Sequence, residues 1–310
     1  MKIGINGTGL VQRASVAAIV EDVRRARADG FASYWLAEHP TGGLDALAVL
    51  TAAGLAVPEI ELGTAVVPTM PRHPMALAGQ ALTARATIGE RLTLGVGLSH
   101  AVMMAQLGIG FDKPIRHLKE FLSVLVPLLD EGKVSFQGET IQCEAETFFG
   151  AGAHLPVVVA ALGPQALAVA GRMTDGTTLA WVGPRTIREH IVPRLSEAAA
   201  GAGRSAPRII ATLPICVTED EAGVRHRISE TLAMYAKLPS YAAMFEREGV
   251  TQPGDIGLVG SPAKVSDQLD ALREAGVTDF AASAFTTSRS EGDATRELLC
   301  SLLGGVADTG

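Results

Sequence analysis

Strand-like and helix-like apolar runs alternate eight times along this chain, and that rhythm restricts the fold more than any other feature. Strands are expected at residues 2–6, 33–37, 61–66, 92–97, 157–161, 177–181, 208–217 and 279–285. Helical patterns fill residues 16–29, 44–56, 75–88 and 115–130, the first closed by Gly30 and the last by Gly132. Almost wholly apolar strands joined by helices are parallel βαβ units, and eight of them predict a closed (β/α)8 TIM barrel, an α/β fold, with short insertions. No low-complexity linker divides the 310 residues, so residues 1–310 are expected to be a single barrel domain. Only 5% of the residues are aromatic, which suits helices packed closely on a parallel sheet.

Two segments break the rhythm. Residues 133–149 alternate around Gly138 and predict a hairpin outside the barrel wall. Residues 232–255 form an expected helical insertion carrying Met234, Tyr235, Tyr241, Met244 and Phe245. It either packs under the outer helices or forms part of a lid or a dimer face.

A net charge of −7 argues against nucleic-acid binding. Cys143, Cys216 and Cys300 stand far apart without metal or disulfide spacing, as in a reduced cytoplasm. The chain enters a strand at once, with no signal-peptide pattern, and no apolar run is long enough to span a bilayer. A soluble cytoplasmic protein is expected.

Barrel enzymes keep their chemistry at the carboxyl ends of the strands. Those ends read Asn6-Gly7-Thr8-Gly9, Glu38-His39, Val66-Val67-Pro68-Thr69, Gly97-Leu98-Ser99-His100, Ala161-Leu162-Gly163, Trp181, Pro214 and Thr286-Thr287. Around Gly163 a strand stops at a Gly-Pro turn and becomes a helix. Gly163 allows close approach, Pro164 suits the first helical position, and the free amides beyond form a seat for phosphate. Such turns are common and most bind nothing; the rest of the chain is what favours a phosphorylated cofactor. His39 could bond a cofactor ring or act as acid/base with Glu38 orienting it, and an ion-paired loop histidine is the alternative. Gly97 lets something approach the backbone of its strand, and Ser99 and His100 could donate to a cofactor's polar tail. His39, His73 and His100 could in principle converge on a metal, but no carboxylate sits at a telling spacing, so no metal is expected.

Taken together the residues resemble the bacterial-luciferase-like superfamily, and within it the oxidoreductases dependent on the deazaflavin coenzyme F420. The matching pieces are Trp35-Leu36-Ala37-Glu38-His39, Leu62-Gly63-Thr64-Ala65-Val66-Val67-Pro68, and Pro71-Arg72-His73-Pro74-Met75-Ala76-Leu77-Ala78. Gly95-Val96-Gly97, Ala160-Ala161-Leu162-Gly163-Pro164 and Val259-Gly260-Ser261-Pro262 complete the set in the same order. The resemblance implies hydride transfer between F420 and a small organic substrate of enone, imine or alcohol type. It implies Glu38 and His39 as catalytic groups and Asn6, His39, Ala65, Val66, Gly97, Ser99 and His100 around the cofactor, Ala65-Val66 matching a bulge where relatives often carry a non-prolyl cis peptide. Ala160, Ala161, Leu162, Gly163, Pro164 and Gln165 would hold the phosphate, and Trp181 and Phe285 would bound the substrate pocket. Relatives often carry glycine where Leu162 stands and a hydroxyl residue where Pro68 stands. The resemblance also suggests a homodimer, with Leu47, Val49 and Leu50 on a candidate face. An FMN-dependent monooxygenase fed by a flavin reductase, or a non-catalytic flavin-binding protein, would fit the same fold.

Overall fold

The computed structural model describes residues 1–11, 15–148 and 152–303. Its wall has eight parallel strands: β1 (Lys2–Asn6), β2 (Ser33–Leu36), β3 (Glu61–Thr64), β4 (Leu92–Gly97), β5 (Val157–Val159), β6 (Gly176–Ala180), β7 (Arg208–Val217) and β8 (Asp279–Ala284). Each pairs with the next, and β8 returns to β1 with Asp279 opposite Lys2, so the sheet closes into the expected barrel.

Five strands end earlier than expected at the mouth, the carboxyl end of the barrel. β3 stops at Thr64 rather than Val66. Thr64 Oγ1 donates to the Gly95 carbonyl and accepts from its amide, both at 2.8 Å. The Ala65–Val66 peptide is cis, and the chain rejoins the sheet at Val67–Pro68 opposite Val96 and Gly97. β6 ends before Trp181, whose φ of 60° lies in the left-handed region. β2, β5 and β8 similarly stop one or two residues short of the expected ends. A further strand, Leu258–Gly260, pairs with the far end of β7. β7 runs 10 residues and outreaches β6 and β8, so its last amides and carbonyls need another partner.

The barrel interior is layered. At the amino end Arg208 bridges Glu61 and Asp279, with Nη1 2.7 Å from Oε1 of the first and Nη2 2.7 Å from Oδ1 of the second. Above it Trp35, Val158, Ile210 and Ala281 pack together, the guanidinium lying 5.9 Å from the Trp35 ring centroid. The amino end of the barrel is therefore plugged.

Outside the wall, Lys133–Gln137 and Gln142–Glu146 pair antiparallel as a hairpin; Phe149 lies outside the described residues. Glu120, on the helix Pro114–Asp130, pins its turn: the carboxylate accepts from the amides of Glu139, Thr140 and Ile141 and from the Thr140 hydroxyl, at 2.6–3.1 Å. Burial alone would raise its pKa, but these donors win and hold it at about 2, against an ordinary 4.5. A depressed carboxylate stabilises the fold above its unfolded pKa and loses that contribution as pH falls through its folded one. Glu120→Gln is expected to cost about 1–3 kcal/mol at neutral pH. In thermal melts the gap to wild type should shrink as the pH is lowered; a gap independent of pH would contradict this account.

Candidate functional site

At the mouth, the cis bulge of β3 lies against glycines of β4. A Cβ on Gly95 would collide with the Thr64 carbonyl, and one on Gly97 would come within 2.7 Å of Val66 Cγ2 and 3.1 Å of Ala160 Cβ. Only a strand bare of side chains lets the bulge settle there. Ala65 rests in turn on the interior cluster around Trp35. Asn6 uses both ends of its amide, Nδ2 reaching Thr212 Oγ1 at 3.4 Å and Oδ1 accepting from the Thr8 amide at 3.0 Å. Together these residues make a firm floor of small side chains, suited to one face of a flat ring.

The loop after β2 is tied to this floor. The Ala65 amide donates to the Leu36 carbonyl at 2.7 Å, and the Glu38 amide donates to the Val66 carbonyl at 3.1 Å. His39 follows directly, half-buried, and its ring takes no hydrogen bond among the described residues. Glu38 is differently placed from the expected catalytic partner. Its carboxylate lies 2.8 Å from Arg72 and accepts from the Ala46 amide at 3.2 Å, while Arg72 also bonds Asp45 at 2.9 Å. Burial raises the Glu38 pKa and the arginine only partly offsets it. Glu38 is a strut that holds the His39 loop, committed to its own ion pair. Arg72, whose role sequence reasoning missed, is its anchor: the partners stand far apart along the chain.

After β5, the helix Pro164–Met173 opens at the mouth. Gly163 precedes it in extended conformation without any capping side chain, so the Gln165 and Ala166 amides lack an intrahelical acceptor. A Cβ on Gly163 would meet open space, and Gly163, Pro164 and Gln165 are exposed while Ala161 is buried. The Leu162 carbonyl is turned away to accept from Nε2 of buried His190 at 2.8 Å. The turn therefore presents donors outward, and these residues fit a phosphate.

Ser99 (φ 63°) and His100 follow β4. The Ser99 hydroxyl lies 3.6 Å from the Met103 sulfur. The His100 ring meets Tyr235 and Tyr241 of the insertion, at centroid distances of 6.2 and 5.8 Å, and Tyr235 reaches Trp181 at 6.2 Å. Burial lowers the His100 pKa, so the ring is neutral near pH 7. The segment between residues 232 and 255 thus places its tyrosines at the mouth. It also packs on the helical stretch after β6: Met244 and Phe245 are buried and Glu248 accepts from the Thr186 amide at 2.7 Å. Phe285 follows β8, half-buried, its amide bonded to the Ile215 carbonyl at 3.0 Å; the ring partner of Trp181 is Tyr235.

His39, His73 and His100 do not converge. His73 caps the helix Pro74–Ile88 through the Met75 amide, and among the described residues no group of three or more His, Cys, Asp or Glu could hold a metal. An open depression of about 450 Å3 lies at the plugged amino end beside Glu61 and Arg208, on the face where barrels store stability. No described helix is long and apolar enough to cross a membrane.

The family model of the luciferase-like monooxygenases matches residues 3–279. The chain belongs to that family. A 5,10-methylenetetrahydromethanopterin reductase of Methanolobus tindarius is 25% identical over 282 residues, spanning 90% of this chain and 85% of its own. An F420-dependent glucose-6-phosphate dehydrogenase of Nakamurella multipartita is 29% identical over 161 residues, 50% of this chain and 48% of its own. In three dimensions the coenzyme F420 dependent tetrahydromethanopterin reductase of Methanopyrus kandleri superposes with a TM-score of 0.81 at 21% identity, covering 96% of this chain and 97% of that one. This family member therefore shares its barrel with that reductase.

Proposed function

We propose that the protein is an F420-dependent oxidoreductase that moves a hydride between the deazaflavin and a small organic substrate of enone, imine or alcohol type. The observation that carries the reading is the joint arrangement at the mouth: a floor made by the Ala65–Val66 bulge on Gly95 and Gly97, and an uncapped helix start two strands away. A flat ring bearing a phosphorylated side chain needs both. The relatives with F420 in their names support the deazaflavin over FMN.

When bound, the cofactor would supply the hydride-carrying ring carbon. The chain supplies the rest. Ala65, Val66 and Gly97 would shield one ring face, so substrate approaches the other. The Gln165 and Ala166 amides would hold the phosphate, and Leu162 is kept clear of it by His190. His39 would hold or pass a proton at the ring edge, with Glu38 and Arg72 fixing its loop. Reduced cofactor would come from a separate reductase.

Titrating the purified protein with F420 and with FMN, by fluorescence and calorimetry, tests this. Micromolar or tighter F420 binding with FMN at least roughly tenfold weaker, about 1.4 kcal/mol, is expected. Preference for FMN would move the protein to the monooxygenases, and binding of neither would remove the cofactor site.

A further inference from the structure

The aromatic residues at the mouth do more than close it. Tyr235 stands 5.2 Å from Tyr241, edge to face at 79°, and the pair joins His100 beyond β4 to Trp181 beyond β6. Few aromatic residues exist in this chain, yet four ring side chains meet at this one place. Neither tyrosine hydroxyl has a hydrogen-bond partner among the described residues, and burial holds both phenols protonated. Three of the six large apolar residues exposed among the described residues, Val102, Leu107 and Met234, lie on the two segments that carry His100 and Tyr235. Clustered aromatic rings with hydroxyl donors that no protein group takes up suit a ligand wall.

We propose that Trp181, Tyr235 and Tyr241 form the substrate-facing wall and that the substrate is a flat, uncharged conjugated ketone, stacked on these rings with its oxygen held by a tyrosine hydroxyl. This rests on the F420 reading of the same mouth. His39 stands after β2 and the wall stands over β4 to β6, so a molecule lying on the open face of the bound ring is flanked by both. The rings carry no formal charge, and Lys237 between the tyrosines is exposed to water, so nothing in the wall grips a phosphate or carboxylate. In the reductive direction two electrons and a proton arrive at the β-carbon as hydride, and the deazaflavin is oxidised. The carbon–carbon π bond shifts and charge gathers on the ketone oxygen, where the tyrosine donates. One proton is taken up at the α-carbon as the cofactor releases its second, leaving the saturated ketone.

The test uses the F420-loaded protein with benzylideneacetone, cyclohexenone and glucose 6-phosphate as probes. Benzylideneacetone is expected to exceed cyclohexenone about tenfold or more in kcat/KM, through stacking, with no turnover of glucose 6-phosphate. In Tyr235→Ala and Tyr241→Ala its KM should rise about tenfold while the Kd of F420 stays within about twofold. Tyr→Phe variants separate the hydroxyl from the ring: stacking survives, and kcat should fall in whichever variant removes the donor. A readout independent of turnover is tryptophan fluorescence. Trp35 is sealed in the barrel, so benzylideneacetone should quench the Trp181 emission, and Trp181→Phe should abolish the quench. Equal turnover of glucose 6-phosphate, unchanged KM in both alanine variants, or variants that weaken F420 instead of the ketone would each overturn the wall. Failure of the wild type to bind F420 would instead strike the cofactor reading, which the titration above detects separately.

Discussion

Arg208→Met is expected to destabilise the fold by about 3–5 kcal/mol, the cost of removing one partner from a buried ion pair. The arginine lies between Glu61 and Asp279, and the Asp279 side chain is only 5% exposed. Without the guanidinium, two carboxylates face each other at the plugged end, and the interior cluster loses the cation over Trp35. For a chain of this size the loss corresponds to a drop of roughly 5–8 °C in Tm. Adding Glu61→Gln and Asp279→Asn should recover most of it at neutral pH. A deficit below about 1 kcal/mol, or a triple variant no better than the single one, would show that the network is ordinary surface electrostatics.

Much of this architecture was legible because barrel strands are buried on both faces and punctuated by glycine and proline. Lys2–Asn6, Leu92–Gly97 and Arg208–Val217 can be read to the residue. The end of β3 is bent by a contact with another strand: Thr64 turns because Gly95, on the neighbouring strand, offers both backbone groups to its hydroxyl. Leu258–Gly260 is a strand only because β7 outruns its neighbours, and three residues carry no periodicity of their own.

The candidate site divides in the same way. The Gly163-Pro164 turn and the bare backbone of Gly97 are local and therefore readable. The Glu38–Arg72–Asp45 network and the tyrosine wall are contacts between segments that the sequence does not bring together. The pattern of residues 232–255 showed a helical segment with aromatic side chains, yet its destination at the mouth depends on where the loops after β4 and β6 end. Local features, a turn or a bare stretch of backbone, were thus easier to find than contacts between distant segments.

That distinction makes His39→Ala the more revealing substitution at the mouth. In the F420 reading its ring follows the loop tied to the floor, with nitrogens free of protein partners among the described residues. Its removal is expected to lower kcat by about 10²–10⁴, the usual worth of a positioned acid or base, while F420 affinity changes less than about tenfold. Added imidazole should restore part of the lost rate. Glu38→Gln should behave otherwise. Arg72 then keeps a full charge partner only in Asp45, and the loop that carries His39 loses its anchor, so F420 affinity and Tm should fall together and imidazole should not help. If His39→Ala kept nearly full kcat, or if Glu38→Gln lost turnover while retaining affinity and Tm, the roles would be reversed, with Glu38 the proton-transfer group and His39 part of its support.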